Sequence, residues 1–485
     1  MLRKLSAHRA ALAEAEHRLD HAPSYAEWLL AAAAHDELTG ADQWRSEDDS
    51  QFYDARRLAT DIRELHQRRQ DEDGLGLASL LHTTIYRHQV DITAPALYDQ
   101  ALAGTKHIIG RWLDEVERSL RWLSVHPVPG LAREEKARRF SEAARVYGRA
   151  ALLLSGGATW GFFHLGVVKA LFEAGVLPDI LSGASTGAMI AGGVCCRNDE
   201  ELRAMYADLS AIRLDGLVRA PAADVLRRRA VLEPARLKEV LEHNIGPWTF
   251  AGAYQRSGRV LNISVSPTRT RQKPRLLSYV TTPDVLVSQA ALASSALPGL
   301  FPPVELLARD HAGEVVPYAP GELWSDGSIF GDLPKLRLAR LHNVNFFIVS
   351  QTNPHVAPVL GFTGRRGLGA AVISGAASTA RAQSALATDL ARRAAPDWGP
   401  LRGVAEQAYA LSSQDYHGDI DIHPRLRPGL LTRVVTNPSR TDLDTFVQEG
   451  ERATWPSLGK VADQTRLGRV LRDCVERLGA RGAVV

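Results

Sequence analysis

Two short apolar runs in this chain each break into a glycine-rich turn and then into an apolar helix, about thirty residues apart. Ala151 to Leu154 enters Ser155-Gly156-Gly157-Ala158, and GFFHLGVVKALFEAG then reads as a helix closing at Gly175. Ile180-Leu181 enters Gly183-Ala184-Ser185-Thr186-Gly187, and AMIAGGVCC reads as the buried helix behind it. A strand apolar along its whole length is buried on both faces, and a parallel neighbour requires a crossover, usually a helix. RVLNISVSP (259–267) and NVNFFIVSQTNP (343–354) read as two more strands, and GDIDIHP (418–424) as a late edge strand. The pattern predicts an α/β region with a mostly parallel central sheet covered by helices on both faces.

The flanks read differently. Residues 1–148 hold few glycines and read as all-α. SYAEWLLAAAAHDELTG places Ser24 as an N-cap and Gly40 as a stop. SEDDSQFYDARRLATDIRELHQRRQ (46–70) and APALYDQALAGTKHIIGRWLDEVERSLRWLSVH (94–126) carry apolar residues at helical spacing. Pro127-Val128-Pro129-Gly130 breaks that pattern, and REEKARRFSEAARVYGRA follows as a linking helix. From about residue 360 the chain turns Ala/Gly/Arg-rich and helical again, ending in one or two closing helices from Thr441. Three regions are therefore expected: 1–148 helical, 149–358 the α/β core, and 359–485 mainly helical and packing on the core.

Composition excludes several classes. A formal net charge of +3 over 485 residues is too small for a nucleic-acid binder. Cys195, Cys196 and Cys474 form neither a disulfide framework nor a CxxC metal site, so a reducing compartment is expected. No window is long and apolar enough for a transmembrane helix, and the charged N-terminus lacks the apolar run of a secretory signal. The expectation is a cytoplasmic protein with no metal and no cofactor.

Gly183-Ala184-Ser185-Thr186-Gly187 has the form of a nucleophile elbow, in which a serine sits on a tight strand-to-helix turn that the glycines permit. The apolar run before it and the helix after it are the context this turn requires. The turn at Gly156-Gly157-Ala158 also joins a strand to a helix, where backbone N–H groups can hold an anion. It lacks the Gly-Lys-Ser/Thr of a P-loop, and Gly161 misses the dinucleotide-binding spacing. An oxyanion hole serving Ser185 accounts for both turns together. The serine requires a base. Asp326, in Trp324-Ser325-Asp326-Gly327-Ser328, is a candidate, although Asp-Gly is also a common turn. His355, after a strand, is its main rival. His164 lies in an apolar helix and reads as a packed core histidine; His342, His417 and His423 read as surface groups.

Taken in order, GGATWG–FFHLGVV, GASTG, ASSALPGLFPP (293–303) and WSDGS resemble the patatin-like phospholipase family. The similarity is closest to the branch typified by triacylglycerol lipases of lipid droplets. Trp28, Leu38-Thr39-Gly40, Trp44, Tyr53-Asp54 and Gly104-Thr105-Lys106 resemble the helical region that precedes the core in that branch. The resemblance spans roughly residues 25–460. It implies a patatin-like three-layer fold with helical regions on either side. It also implies a Ser185–Asp326 dyad with no catalytic histidine, Gly327 completing the Asp-Gly motif, and an oxyanion hole at Gly156, Gly157 and Ala158. Two positions depart from the family pattern. Ala158 replaces the third glycine of the usual triplet, which a negative φ would accommodate. Trp160 stands where a basic residue is common, which favours a neutral lipid over an anionic one.

The implied activity is hydrolysis of glycerolipid esters at a membrane or droplet surface, foremost triacylglycerol to diacylglycerol and fatty acid. Three alternatives remain: a phospholipase or lysophospholipase, a Ser–Asp–His esterase using His355, and a non-catalytic lipid-binding scaffold.

Overall fold

The computed structural model describes residues 2–88, 91–228, 230–269, 273–327, 332–353, 417–425 and 435–479. The chain forms two compact units: residues 1–149 with 454–485, and residues 150–453.

The first unit is helical: α1 (Leu2–His21), α2 (Tyr25–Thr39), α3 (Ala41–Ser46), α4 (Ala55–Gln70), α5 (Gly74–Arg87), α6 (His107–Val125) and α7 (Arg133–Tyr147). Its caps follow the sequence. Ser24 accepts from the Glu27 N–H, and Gly40 ends α2 at φ 80°. Asp54 caps α4 by accepting from Arg57. Leu58, Leu65, Leu77, Ile108, Trp112 and Phe140 are buried in one core. The expected helix over 94–126 starts only at His107. The Leu102 and Ala103 N–H groups donate instead to the buried Asp36 carboxylate, and Gly104 has φ 122°, so the chain before Lys106 cannot coil as α-helix. Lys106 lies over the Trp44 ring and donates to the Trp44 and Glu47 carbonyls. The N-terminal residues that carry the resemblance thus include several that cap and pack this unit.

The second unit is built on a mixed sheet. Its strands are β1 (Arg149–Leu154), β2 (Ile180–Gly183), β3 (Val260–Pro267), β4 (Arg275–Ser278), β5 (Val304–Glu305), β8 (Leu323–Asp326), β9 (Val344–Ser350) and β10 (Ile420–Ile422). Between them, β6 (Leu307–Arg309) and β7 (Val315–Pro317) form a separate ribbon. The strand order is β10-β9-β1-β2-β3-β8-β5. β2 runs parallel to both β1 and β3, and β10 runs parallel to β9 at the edge. The antiparallel additions β4 and β8 lie on opposite sides of β3, with β8 beyond the end of β2 on the side that β2 occupies.

The helices of this unit are α8 (Phe163–Glu173), α9 (Thr186–Cys195), α10 (Asp199–Ala207), α11 (Ala222–Arg228), α12 (Pro234–Ile245), α13 (Phe250–Ser257), α14 (Val287–Ser294) and α15 (Lys335–His342). α9 and α14 pack against β2 and β3. Ala151 and Leu153 of β1, on alternate positions of the strand, cluster instead with Leu338 of α15. The sheet is therefore covered by helices on both faces. The last helix, α16 (Arg440–Arg477), belongs to the second unit up to Ala453 and to the first from Thr454 onward. The helical stretch expected from about residue 367 lies outside the described residues.

Candidate active site

Both glycine-rich turns sit at the same end of the sheet. Ser185, directly after β2, has φ 52° and ψ −123°, a strained conformation for a residue with a Cβ. It persists because its surroundings fix it. The Ser185 N–H donates to Ser294 Oγ at 3.0 Å, and that hydroxyl donates to the Ser264 carbonyl of β3 at 2.7 Å. The Ala184 N–H donates to the Leu154 carbonyl at 3.2 Å. At Gly187 a Cβ would overlap the Leu154 carbonyl, so the turn closes only with glycine there. Gly183 is equally confined, by the carbonyl of Gly187.

Asp326 ends β8 and is 2% exposed. Along one side of β3, Ile263 pairs with Gly183 of β2 and Val265, two residues on, pairs with Asp326 of β8, while β4 pairs with both residues on the other side. Ser185, two residues past β2, and Asp326 therefore lie on the same side of β3, where the ends of β2 and β8 approach each other. The Asp326 N–H donates to the Ala296 carbonyl at 3.1 Å. The segment Ser294–Ala296 thus anchors the nucleophile turn through one residue and the aspartate through another.

The first glycine turn adds the third component. Thr186 Oγ1 donates to the Ala158 carbonyl at 2.8 Å and ties this turn to the elbow. Ala158 has φ 47°, not the negative φ expected. It adopts the left-handed conformation that glycine takes freely, at about 1–2 kcal/mol for a residue with a Cβ. Gly156 is also corrected: its N–H donates to Asp332 Oδ1 at 2.9 Å, so it cannot serve an oxyanion. The amides of Gly157 and Ala158, at the start of a 3₁₀ turn, have no acceptor among the described residues.

Gly157, Ala158, Ser185 and Asp326 line one cavity of ≈ 370 Å³ whose walls are mainly apolar. Thr186, Met189, Ile190, Gly193 and Val194 line it at helical spacing along α9, and Arg197, two residues past the helix, lines it too. Leu237, Val240 and Leu241 of α12 form an opposite wall. Among the described residues no histidine lines it, and His355 lies outside them. His164 is fully buried, its ring bonded to the Ser155 carbonyl, Ser350 Oγ and Thr352 Oγ1. Burial lowers it to about 4, so it is neutral at physiological pH. His342, expected on the surface, is buried, because α15 packs on the sheet and the ring pairs with Asn262 Oδ1 of β3 at 2.9 Å. His417 pairs with Asp421 at 2.9 Å. Trp160 packs with Phe446 and Phe162 and does not line the cavity. Among the described residues no cluster of histidine, cysteine and carboxylate residues suits a metal ion.

Sequence reasoning missed Ser294 and Asp332. Both lie inside segments that it quoted or bordered, but their partners are 109 and 176 residues away.

Residues 152–336 match the family described as patatin-like phospholipase, and residues 5–145 match a domain of unknown function (DUF3336). The chain is 33% identical to "Triacylglycerol lipase ptl3" of Schizosaccharomyces pombe, over 90% of this chain and 92% of that protein. It is 34% identical to a patatin-like phospholipase domain-containing protein of Chaetomium globosum and 32% identical to "Triacylglycerol lipase SDP1L" of Arabidopsis thaliana. It covers 92% of this chain and 55% of the first, and 93% of this chain and 57% of the second, so it spans little more than half the length of these two relatives. With a strained serine turn and a buried Asp-Gly aspartate on one cavity, and a relative matched over nearly its whole length, the chain belongs to the patatin-like phospholipase family.

Proposed function

We propose that this protein is a serine lipid acyl hydrolase whose main substrate is triacylglycerol. The observation that carries the reading is that Ser185, Asp326 and two free backbone amides face one apolar cavity. Asp326 takes the Ser185 proton as Oγ attacks the ester carbonyl. The Gly157 and Ala158 N–H groups receive the oxyanion, where loss of one such donor typically costs about 2.7–4 kcal/mol. Collapse of the tetrahedral species breaks the ester bond, and the leaving diacylglycerol oxygen takes the proton back from Asp326. Asp326 then deprotonates water as the water attacks the acyl-serine, and collapse releases the fatty acid while Ser185 Oγ takes that proton back from Asp326.

The cavity suits a long acyl chain. The ten residues of α9, Thr186–Cys195, advance about 15 Å, at about 1.5 Å per residue. An extended chain built from C–C bonds of about 1.5 Å covers that in about 12 carbons. At the far end the Arg197 guanidinium donates to the Gly193 and Asn244 carbonyls at 2.7 and 2.8 Å. At Gly193 a Cβ would have ordinary room, its nearest neighbour being Arg197 Nη1 at 3.5 Å. In Gly193→Phe the ring would enter the channel. The ratio of oleoyl to butyryl ester hydrolysis is expected to fall about tenfold or more, read from kcat/KM on the two esters.

Contact with a lipid surface is part of the proposal. Val435 lines the cavity and is 42% exposed, and Val218 and Val231, also exposed, adjoin the lining residues Leu217 and Leu232. No helix among the described residues is long and apolar enough to cross a membrane. The names of the relatives and the apolar cavity favour triacylglycerol over phospholipid. The test is fatty acid release from triolein emulsion and from phosphatidylcholine vesicles in parallel. Faster release from triolein is expected. Preference for phosphatidylcholine would make the protein a phospholipase, and no release from either by folded protein would leave the scaffold reading.

A further inference from the structure

Six residues beyond Asp326 stands a second carboxylate that these steps do not use. Asp332 is 1% exposed. Its Oδ1 accepts the Gly156 N–H at 2.9 Å, and its Oδ2 accepts from the Asn353 side-chain amide. The Asn353 N–H in turn donates to Gln351 Oε1 at 3.0 Å, just past β9. One carboxyl group therefore links the chain after β8, the glycine turn after β1 and the end of β9. Burying an ionisable group is expensive unless its oxygens are satisfied, and here two donors are aimed at them.

The location gives the contact its meaning. Gly156 immediately precedes Gly157 and Ala158, and Ala158 is itself strained at φ 47°. Oxyanion donors act only when held close to their working position, and small displacements cost large factors in rate. We propose that Asp332 is a positioning residue for the Ser185–Asp326 pair: through Gly156 it fixes the turn whose next two amides receive the oxyanion. The proposal rests on the acyl-hydrolase reading above.

Charge supports the geometry. Burial, reinforced by the negative charge of Asp326, raises Asp332 to about 8, although the bonds from Gly156 and Asn353 pull the other way. Two nearby carboxylates do not ionise together readily. Asp332 therefore holds a proton at neutral pH. Asn353 serves both states, since its NH₂ donates to a carboxylate and its oxygen, when the amide is turned over, accepts from a carboxyl. Among the described residues His164 of α8 is a further titratable group bonded to this turn, through the Ser155 carbonyl, and burial keeps it neutral above about 4.

The experiment compares wild type, Asp332→Ala and Asp332→Asn on p-nitrophenyl butyrate, from about pH 6 to about pH 9, with Ser185→Ala as the blank. A fluorophosphonate probe reports reactivity at Ser185 separately. Asp332→Ala is expected to lose about 10–100-fold in kcat with KM within about twofold, and to label more slowly. Asp332→Asn is expected to recover most of kcat, because its amide oxygen still accepts from Gly156. Wild-type kcat should fall above about pH 8, where Asp332 ionises beside Asp326, and Asp332→Asn should lack that fall. Wild-type kcat in Asp332→Ala, or Asp332→Asn no better than Asp332→Ala, would overturn the proposal. If circular dichroism shows Asp332→Ala unfolded, the pH profile of Asp332→Asn decides, and a wild-type alkaline limb there sinks it. Failure of the probe to label Ser185 in wild type is a separate result, and it removes the acyl-hydrolase reading itself.

Discussion

Ser185→Ala is expected to lose at least about 10⁴-fold in kcat for ester hydrolysis, because no other group can form the acyl intermediate; removing a serine nucleophile has cost about 10⁶-fold elsewhere. The fold should survive. The contact that holds the elbow is made by the Ser185 N–H to Ser294 Oγ, and alanine keeps that N–H. Gly183 and Gly187, which close the turn, are untouched. Circular dichroism and the thermal midpoint should match wild type, while fatty acid release and fluorophosphonate labelling both vanish. Substantial residual hydrolysis with the label lost would place the chemistry on another residue.

The second large effect is expected at Asp326→Asn. Amide and carboxylate have the same shape, and the main-chain bond to Ala296 stays. What is lost is the proton acceptor, worth about 10²–10⁴-fold in kcat for a general base. The loss should fall on kcat with little change in KM, since the acyl channel along α9 is left as it was. Residual activity above Ser185→Ala is expected, because the nucleophile and the Gly157 and Ala158 amides remain. His355→Ala is the control: a Ser–Asp–His esterase would be inactive, whereas the dyad keeps near-normal rates. Full activity in Asp326→Asn would exclude this aspartate as the base.

Elements governed by nearby residues could be read from the sequence. The strands at Ala151–Leu154 and Ile180–Leu181, the elbow between two confined glycines, and the caps Ser24 and Gly40 each follow from a few adjacent side chains. What depended on distant partners could not be read. The helix expected from Ala94 was lost to the Asp36 carboxylate, which draws off two N–H groups 66 and 67 residues away. The antiparallel strands β4, β5 and β8 are short and follow no clear alternation, so the mixed character of the sheet was hidden. His342 sits in a polar-looking helix, and only the position of Asn262 on β3 explains its burial. The sign of φ at Ala158 is set by Thr186 and the surrounding turn rather than by alanine's own preference. In the site, the serine and the aspartate announce themselves by adjoining glycines. Ser294 and Asp332, which hold the turns, carry no such mark.

The divided membership of α16 has a kinetic consequence. Its C-terminal half supplies Leu467, Val470, Leu471 and Val475 to the core that holds Leu58, Trp112 and Phe140. The Cys474 thiol lies 3.9 Å from the Leu120 carbonyl, across 354 residues of sequence. Synthesis at about 5–20 residues per second leaves tens of seconds between the two. During that interval the inner faces of α4 to α7 leave the ribosome without the helix that completes their core. Folding of the helical unit is therefore tied to the synthesis of α16, after the α/β unit has been made. That delay is the window in which the nascent chain is most open to misassembly and most in want of a chaperone.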